Sequence, residues 1–282
     1  MEALTVSYVR DELSRLTVPH KTIIVNNAAT EESNAALCNG LNAMLVDDQN
    51  NIDTMQNVFV LPATDNLGFA RGNNFGAEFC RKTFASDYLL FSNNDIKIPS
   101  PAVAAKLMEV LEANPEAGVV GPKVVGLDGV EQGPFPYESC WEREVWRHWA
   151  TFLYSKQKHA QRFHLNYGQQ AKEGFHHHVH GSFFMVRATD FYACGMMDPN
   201  TFLYAEEKIL AERMKAIGKK MYYYPQVSVI HAHGATTNRY SRRRGYDWQA
   251  ESNLYYYRTY CHTTLPILLL ARITHALVRL RI

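Results

Sequence analysis

The stretch Leu89–Ile98, LLFSNNDIKI, poses the first chemical question. An apolar run ends at Phe91 and gives way to Ser92, Asn93, Asn94 and Asp95. One carboxylate is not an acid/base pair. It can hold a divalent cation only if oxygens from elsewhere complete the shell. Two other apolar runs lead into polar clusters, Asn26-Asn27 and Asp65-Asn66. Asparagine and aspartate at such positions bond base edges, ribose hydroxyls or their own backbone turns. The glycine-rich run Gly68–Gly76, with Arg71 and Gly72 inside it, suits close approach to a phosphate. Taken singly, each cluster is an ordinary turn signal. Three of them at strand ends point to a nucleotide, because doubly wound sheets bind ligands at the carboxyl ends of their strands.

The elements that must position these residues follow from periodicity. Apolar positions at Val6, Val9, Leu13 and Leu16 recur at helical spacing. The runs 21–27, 58–62, 87–92 and 117–125 read as strands. Helices are predicted over 31–48, 77–84 and 102–114, with 65–76 as a loop. A further strand is predicted over 180–191, then a helix over 205–218 closed by Gly218, then a last strand or strand pair over 220–234. Strands alternating with helices define an α/β chain with a mostly parallel, doubly wound sheet flanked by helices. The pattern breaks from 126 to 174, where Trp141, Trp146, Trp149, Phe152 and Tyr154 sit among charges and prolines. That region reads as a variable insertion over a site. Its aromatic rings either stack on sugar or pack the insertion onto the core.

Composition sets outer bounds. The chain has 282 residues, is 46% hydrophobic and 20% charged, and carries a net charge of +1. These values are those of an ordinary globular protein and argue against nucleic acid as the main partner. Five cysteines, Cys38, Cys80, Cys140, Cys194 and Cys261, are scattered, as in a reduced cytoplasmic chain. Residues 1–20 hold no apolar leader-like segment. The segment 261–282 forms a C-terminal amphipathic helix carrying Arg272, Arg279 and Arg281, with an apolar run too short to span a bilayer. It either lies peripherally on an anionic inner leaflet or packs on its own domain. No Gly-x-Gly-x-x-Gly, P-loop or Gly-x-Ser-x-Gly is present, which argues against a dinucleotide oxidoreductase, an NTPase and an α/β-hydrolase.

The blocks DNLGFARGNN, LLFSNNDI, GVVGPKVVGLDG, HGSFFMVRATDFYACGMMDPNTFLYAEEKILAERMKAIG and VIHAHGATT occur in this order over roughly residues 20–260. Together they resemble bacterial family-2 glycosyltransferases of the GT-A fold, in particular the rhamnosyltransferase-like branch. The resemblance implies one GT-A domain over 1–260. It implies an inverting, metal-dependent transfer of a sugar, with rhamnose a candidate, from a nucleoside diphosphate to a polysaccharide or lipid-linked glycan. In this resemblance Asn93-Asn94-Asp95 stands for the metal signature, so Asp95 binds Mg²⁺ or Mn²⁺. His231 follows the last strand and completes the metal shell, with His233 a weaker second candidate. Position 207 matches the catalytic base, so Glu207 takes that role and Glu206 stands second. First-turn carboxylates also simply complement a helix dipole. Asn26, Asn27, Asn66, Gly68, Arg71, Asn74, Asn94 and Gly181 fall to the nucleotide-sugar site. Arg213 either pairs within the domain or sits near the diphosphate. The run His176, His177, His178 and His180 is set aside, because along one strand these side chains alternate faces.

Two departures matter. A Glu replaces the expected Asp at position 207, one methylene longer. The first strand of the resembled fold is missing at the N-terminus, and 21–27 matches the second strand, with Asn26 at its usual Asp. The coding sequence is therefore expected to begin upstream of Met1; otherwise residues 1–9 cover the edge. A catalytically impaired relative that binds a nucleotide-sugar or an assembly partner is the alternative reading.

Overall fold

The computed structural model describes residues 1–47, 52–163, 167–232 and 241–282. The chain opens with helix α1 (Glu2–Asp11), then β1 (Thr22–Asn27), α2 (Glu31–Leu41), β2 (Met44–Leu45) and β3 (Val58–Ala63). Next come α3 (Gly68–Thr83), β4 (Tyr88–Ser92), β5 (Ile96–Lys97), α4 (Val103–Ala113) and β6 (Ala117–Gly126). The insertion holds a π-helical turn (Trp141–Trp146), α5 (Arg147–Ala150), α6 (Lys156–Arg162) and α7 (Tyr167–Gln170). Then follow β7 (Gly174–His176), β8 (Phe183–Arg187), α8 (Ala188–Ala193), α9 (Glu206–Ala216) and β9 (Lys220–His231). Helices α10 (Arg242–Thr259) and α11 (Leu265–Arg279) close the chain.

This is a mixed α/β architecture with helices on both sides of the strands. Strands β1, β3 and β2 make a parallel three-stranded sheet. A second sheet runs β4-β8-β6-β9-β5, with β7 on β9. There β6 and β9 pair in parallel, while β8 lies antiparallel between β4 and β6. β6 is the middle strand of this sheet and its burial explains why: apart from Lys123 and Val125, every residue from Ala117 to Gly126 is buried. Such a continuous apolar run suits a strand covered on both faces. Leu107 and Leu111 of α4 press on it and are fully buried. Phe59, Phe79 and Phe84 form a tilted aromatic triad that seats α3 on the smaller sheet.

Four sequence expectations shift. The helix expected over 31–48 ends at Leu41, because Asn42 turns left-handed at φ 49° and releases the chain into β2. Position 48 of that expected helix lies outside the described residues. The stretch 65–76 is no loop: α3 begins at Gly68, whose φ of +73° makes the sharp entry. A side chain at Gly68 would collide with the Phe202 carbonyl, to which Phe69 N–H donates at 3.0 Å. The strand expected over 180–191 covers only Phe183–Arg187, and Ala188–Ala193 turns into α8. The histidine run does not share one strand, since only His176 belongs to β7.

Truncating Leu107 to Ala tests the packing around β6. Chemical denaturation is expected to show a loss of about 2–5 kcal/mol with an unchanged m-value. A loss below about 1 kcal/mol would mean that this contact is not central.

Candidate active site

The site starts from a short ladder. Strand β5 pairs antiparallel with β9, placing Ile96 opposite His231. Ala232 N–H donates to the Asp95 carbonyl at 2.9 Å. This register sets the Asp95 carboxylate beside the imidazole, with Oδ1 3.3 Å from His231 Nε2. Both side chains are buried. The second imidazole nitrogen, Nδ1, lies 2.8 Å from Gln132 Oε1. Gln132 so orients the ring, with Nε2 turned toward the carboxylate. Gln132 reaches His231 because the chain folds straight back after β6: Gln132 N–H donates to the Val124 carbonyl at 2.9 Å.

The donor chemistry therefore fits a hard or borderline divalent cation. An imidazole nitrogen and a carboxylate oxygen 3.3 Å apart match adjacent ligands on one ion, which at about 2.1 Å bond length stand about 3 Å apart. Among the described residues no group of three or more His, Cys, Asp or Glu comes together to hold a metal. The remaining ligands would have to be substrate oxygens and water, the usual arrangement for Mg²⁺ with phosphates. His233 lies outside the described residues.

The acidic pair approaches from the other side. The His180 ring stands 5.4 Å from the His231 ring, and Gly181 follows it. Gly181 touches the Glu207 carboxylate so closely that an added Cβ would fall 1.8 Å from Oε1. Only glycine fits, and its backbone N–H helps hold the carboxylate. Glu207 sits in the first turn of α9 beside Glu206. Immediately before them, Tyr204 and Ala205 both adopt left-handed backbone, at φ 74° and 68°. Two consecutive non-glycine residues in this region cost energy, about 1–3 kcal/mol each, and such strain clusters at functional sites. Desolvation raises the carboxyl pKa of both glutamates, and Glu206 is raised further by the neighbouring Glu207 charge. Glu206 Oε1 is buried with no hydrogen-bond partner among the described residues.

Behind α9 lies a buried polar network. Lys208 Nζ donates to Asn253 Oδ1 at 2.6 Å and sits 5.2 Å from the centre of the Tyr256 ring. Asn253 Nδ2 donates to Glu144 Oε1 at 2.9 Å, and Glu144 Oε2 lies 2.8 Å from His275 Nε2. One carboxylate from the insertion thus ties α9, α10 and α11 together. Burial pushes the Lys208 ammonium down to about 7, with Arg143 adding repulsion. Arg213 belongs to the scaffold. Its Nη1 donates to the Gly195 and Met196 carbonyls, both at 2.6 Å.

The other expected binding residues divide. Asn27 Oδ1 accepts from Leu67 N–H at 3.2 Å, and Asn66 Oδ1 accepts from Gly68 N–H at 3.0 Å. Both shape the turn into α3, where Arg71 is exposed. Asn26 Nδ2 donates to Ser33 Oγ and Asn34 Oδ1, so it ties β1 to α2. Asn74 uses both ends of its amide on the Met197 backbone, at 2.7 and 3.1 Å. Asn94 Nδ2 donates to Thr5 Oγ1 of α1 at 2.8 Å. Asp95, His231, His180, Gly181 and Glu207 come together through these contacts. Gln132 and His180 carried no sequence signal of their own: one is a lone polar residue in the insertion, the other part of a histidine run.

No family model matches this chain, and no curated sequence matches it. Solved structures do. A mannosyltransferase from Pyrobaculum calidifontis, in complex with GDP-Man and Mn²⁺, aligns with a TM-score of 0.57 at 12% identity, over 96% of this chain and 69% of its own. Residues 1–349 of TarS from S. aureus align with a TM-score of 0.52 at 9% identity, over 91% of this chain and 62% of that one. The fold is that of the GT-A glycosyltransferases.

The raised Glu206 carboxyl gives a pH signature. The folded chain keeps its proton where the unfolded chain loses it, above the ordinary carboxylate pKa of about 4.3. Folded protein then binds more protons, so stability falls as pH rises through that window. Glu206→Gln should flatten this fall in a series of thermal melts from pH 5 to 8. Parallel profiles for the two proteins would refute the assignment.

Proposed function

We propose that this chain is an inverting, metal-dependent glycosyltransferase. It moves a hexose-type sugar, with rhamnose the first candidate, from a nucleoside diphosphate to a hydroxyl of a polysaccharide or lipid-linked glycan. The observation that carries this reading is the buried Asp95–His231 pair, 3.3 Å apart at the ends of β5 and β9 on a GT-A fold. The bound molecules of two neighbours, GDP-Man with Mn²⁺ and UDP, point the same way. The segments 1–260 and 261–282 are read as one transferase domain and an appended helix, with 126–174 as the insertion.

Asp95 and His231 would hold the cation, with His231 oriented by Gln132. A cation held there would supply positive charge against that of the diphosphate. Glu207 takes the proton of the acceptor hydroxyl as that oxygen bonds to the sugar C1 and the C1–O bond to the diphosphate breaks. Burial raises its carboxyl pKa, which strengthens it as a base. The first turn of α3, with exposed Arg71, would meet phosphate oxygens in this scheme, and Asn27 and Asn66 shape that turn. Asn26 and Asn74 serve the scaffold in this scheme, because their amides are engaged within the fold.

Calorimetric titration with a panel of nucleoside diphosphates, with and without Mn²⁺, tests the donor site. Asp95→Ala should weaken Mn²⁺-dependent binding by about 100-fold or more, since even outer-shell changes at metal sites cost about 10–100-fold. Glu207→Gln should leave that binding intact and lower kcat by about 10²–10⁴-fold. Metal-independent binding, or full turnover by Glu207→Gln, would sink the scheme. Metal-dependent binding without turnover on any donor would favour the impaired, binding-only reading.

The C-terminal helix supports a peripheral membrane contact. Among the described residues no helix is long and apolar enough to cross a membrane. One side of α11 buries Leu268, Ala271 and His275, while Leu269, Leu270, Ile273 and Leu277 stay exposed. Phe152 is also exposed, with the Arg281 guanidinium 5.4 Å from its ring centre. Arg242, Arg243 and Arg244 are exposed at the start of α10, which packs on α11. Apolar surface with flanking arginines suits an anionic bilayer. In flotation assays, Ile273→Asp/Leu277→Asp should lose binding to vesicles containing anionic lipid, and neutral vesicles should bind neither protein. Equal recovery of variant and parent would refute the contact.

A further inference from the structure

The turn ahead of α9 is held from outside its own sequence. Ala205 stands at the cap position of α9 and brings no side-chain acceptor to the first N–H groups of that helix. Ala205 and Tyr204 both keep left-handed backbone, which persists in non-glycine residues only where the surroundings over-determine it. Those surroundings are one stripe of α10. Gly245, Trp248, Ser252 and Tyr255 recur at three- and four-residue spacing, so they share a face of the helix. Each meets the segment that leads into the acidic pair. The Tyr204 hydroxyl lies 3.6 Å from where a Cβ on Gly245 would stand. The Trp248 ring packs on the Phe202 ring, 4.7 Å between centres and tilted by 39°. Buried Ser252 donates its hydroxyl to the Leu203 carbonyl at 2.8 Å. Tyr255 donates to Asp198 Oδ2 at 2.7 Å, and Asp198 Oδ1 accepts from Asn200 N–H at 2.9 Å.

These contacts grip the residues just ahead of the two carboxylates. Phe202 is held from two sides, because its carbonyl accepts Phe69 N–H at the start of α3 while its ring lies on Trp248. The turn is therefore fixed between two helices, and the direction in which α9 sets out is fixed with it. One step round α10, Asn253 takes Lys208 Nζ at 2.6 Å and ties the first turn of α9 to the same helix. Such attachment matters at this place because Glu207 meets Gly181 without slack. Movement of the turn by about 1 Å would misplace the carboxylate, and a displacement of that size costs about 100-fold in rate.

We propose that α10 is the positioning element of the acidic pair: Trp248 and Ser252 act through the turn 202–205 to set the Glu207 carboxylate against Gly181. The kinetic consequence rests on the reading of Glu207 as the base, and the structural consequence does not.

Two readouts keep these apart. Hydrogen exchange of the full chain needs no turnover. Trp248→Ala should speed exchange across 202–210 by about tenfold or more, and Ser252→Ala, which removes a single hydroxyl, should act in the same direction. Trp248→Phe keeps a ring on Phe202 and should exchange like the parent. Equal exchange in the parent and both alanine variants would overturn the proposal, whatever the chain catalyses. In turnover assays both alanine variants should lower kcat by about 10²-fold at unchanged donor KM, with Trp248→Phe close to the parent. In a Glu207→Gln background, Trp248→Ala should add no further loss, since a residue that acts through Glu207 has nothing left to position. Losses that add, or that appear in KM alone, would overturn the link to Glu207. Faster exchange in the alanine variants of a chain that turns over no donor would uphold the positioning and count against the proposed reaction instead.

Discussion

The candidate site depends on a two-residue ladder. Strand β5 consists only of Ile96 and Lys97, yet its pairing with β9 decides whether Asp95 meets His231. Side chains in strands alternate faces, so a slip of one residue would separate carboxylate from imidazole. The ladder is held by neighbours rather than by its own length. Ile96 and Ile98 are buried in the larger core, and Ile98 N–H donates to the Glu12 carboxylate, just after α1, at 2.7 Å. On the far side β9 is anchored along β6, eight of whose ten residues are buried. The core thus spends much of its rigidity on the separation of two side chains.

The acidic pair obeys a different constraint. Two carboxylates at the start of α9 face into the protein, where burial opposes their charge. The helix N-terminus offsets part of that cost. The left-handed backbone at Tyr204 and Ala205 aims the pair, and the glycine at 181 leaves room for it. The Lys208–Asn253–Glu144–His275 chain stops α9 from relaxing away from this position. The insertion and the last two helices therefore support the site mechanically, with Trp149 Nε1 also donating to Thr274 Oγ1 of α11 at 3.0 Å. Trp141 and Trp149 nevertheless keep nearly half their surface exposed.

Much of this was legible in the sequence. Strand-length apolar runs gave β1, β3, β4 and β6, and the helical periodicity gave α1, α4 and α9, because local patterning and burial agree there. Asp95 stood out at a strand end, whereas His231 and Glu207 were candidates only through the resemblance to GT-A glycosyltransferases. The α3 start was misread, because glycine and asparagine signal turns in isolation. Only the contact of Gly68 with the Phe202 carbonyl makes a helix start necessary there.

Sequence by itself determined which residues could do chemistry and which segments would be buried, since both follow from side-chain type and local spacing. Only the tertiary structure decided which of those residues meet. Asp95 and His231 lie 136 positions apart and are joined by a ladder register that no local pattern encodes. Gln132 becomes a partner of His231 only because the chain reverses after β6. Asn26 and Asn74 looked like ligand-binding amides, yet their neighbours in space claim them.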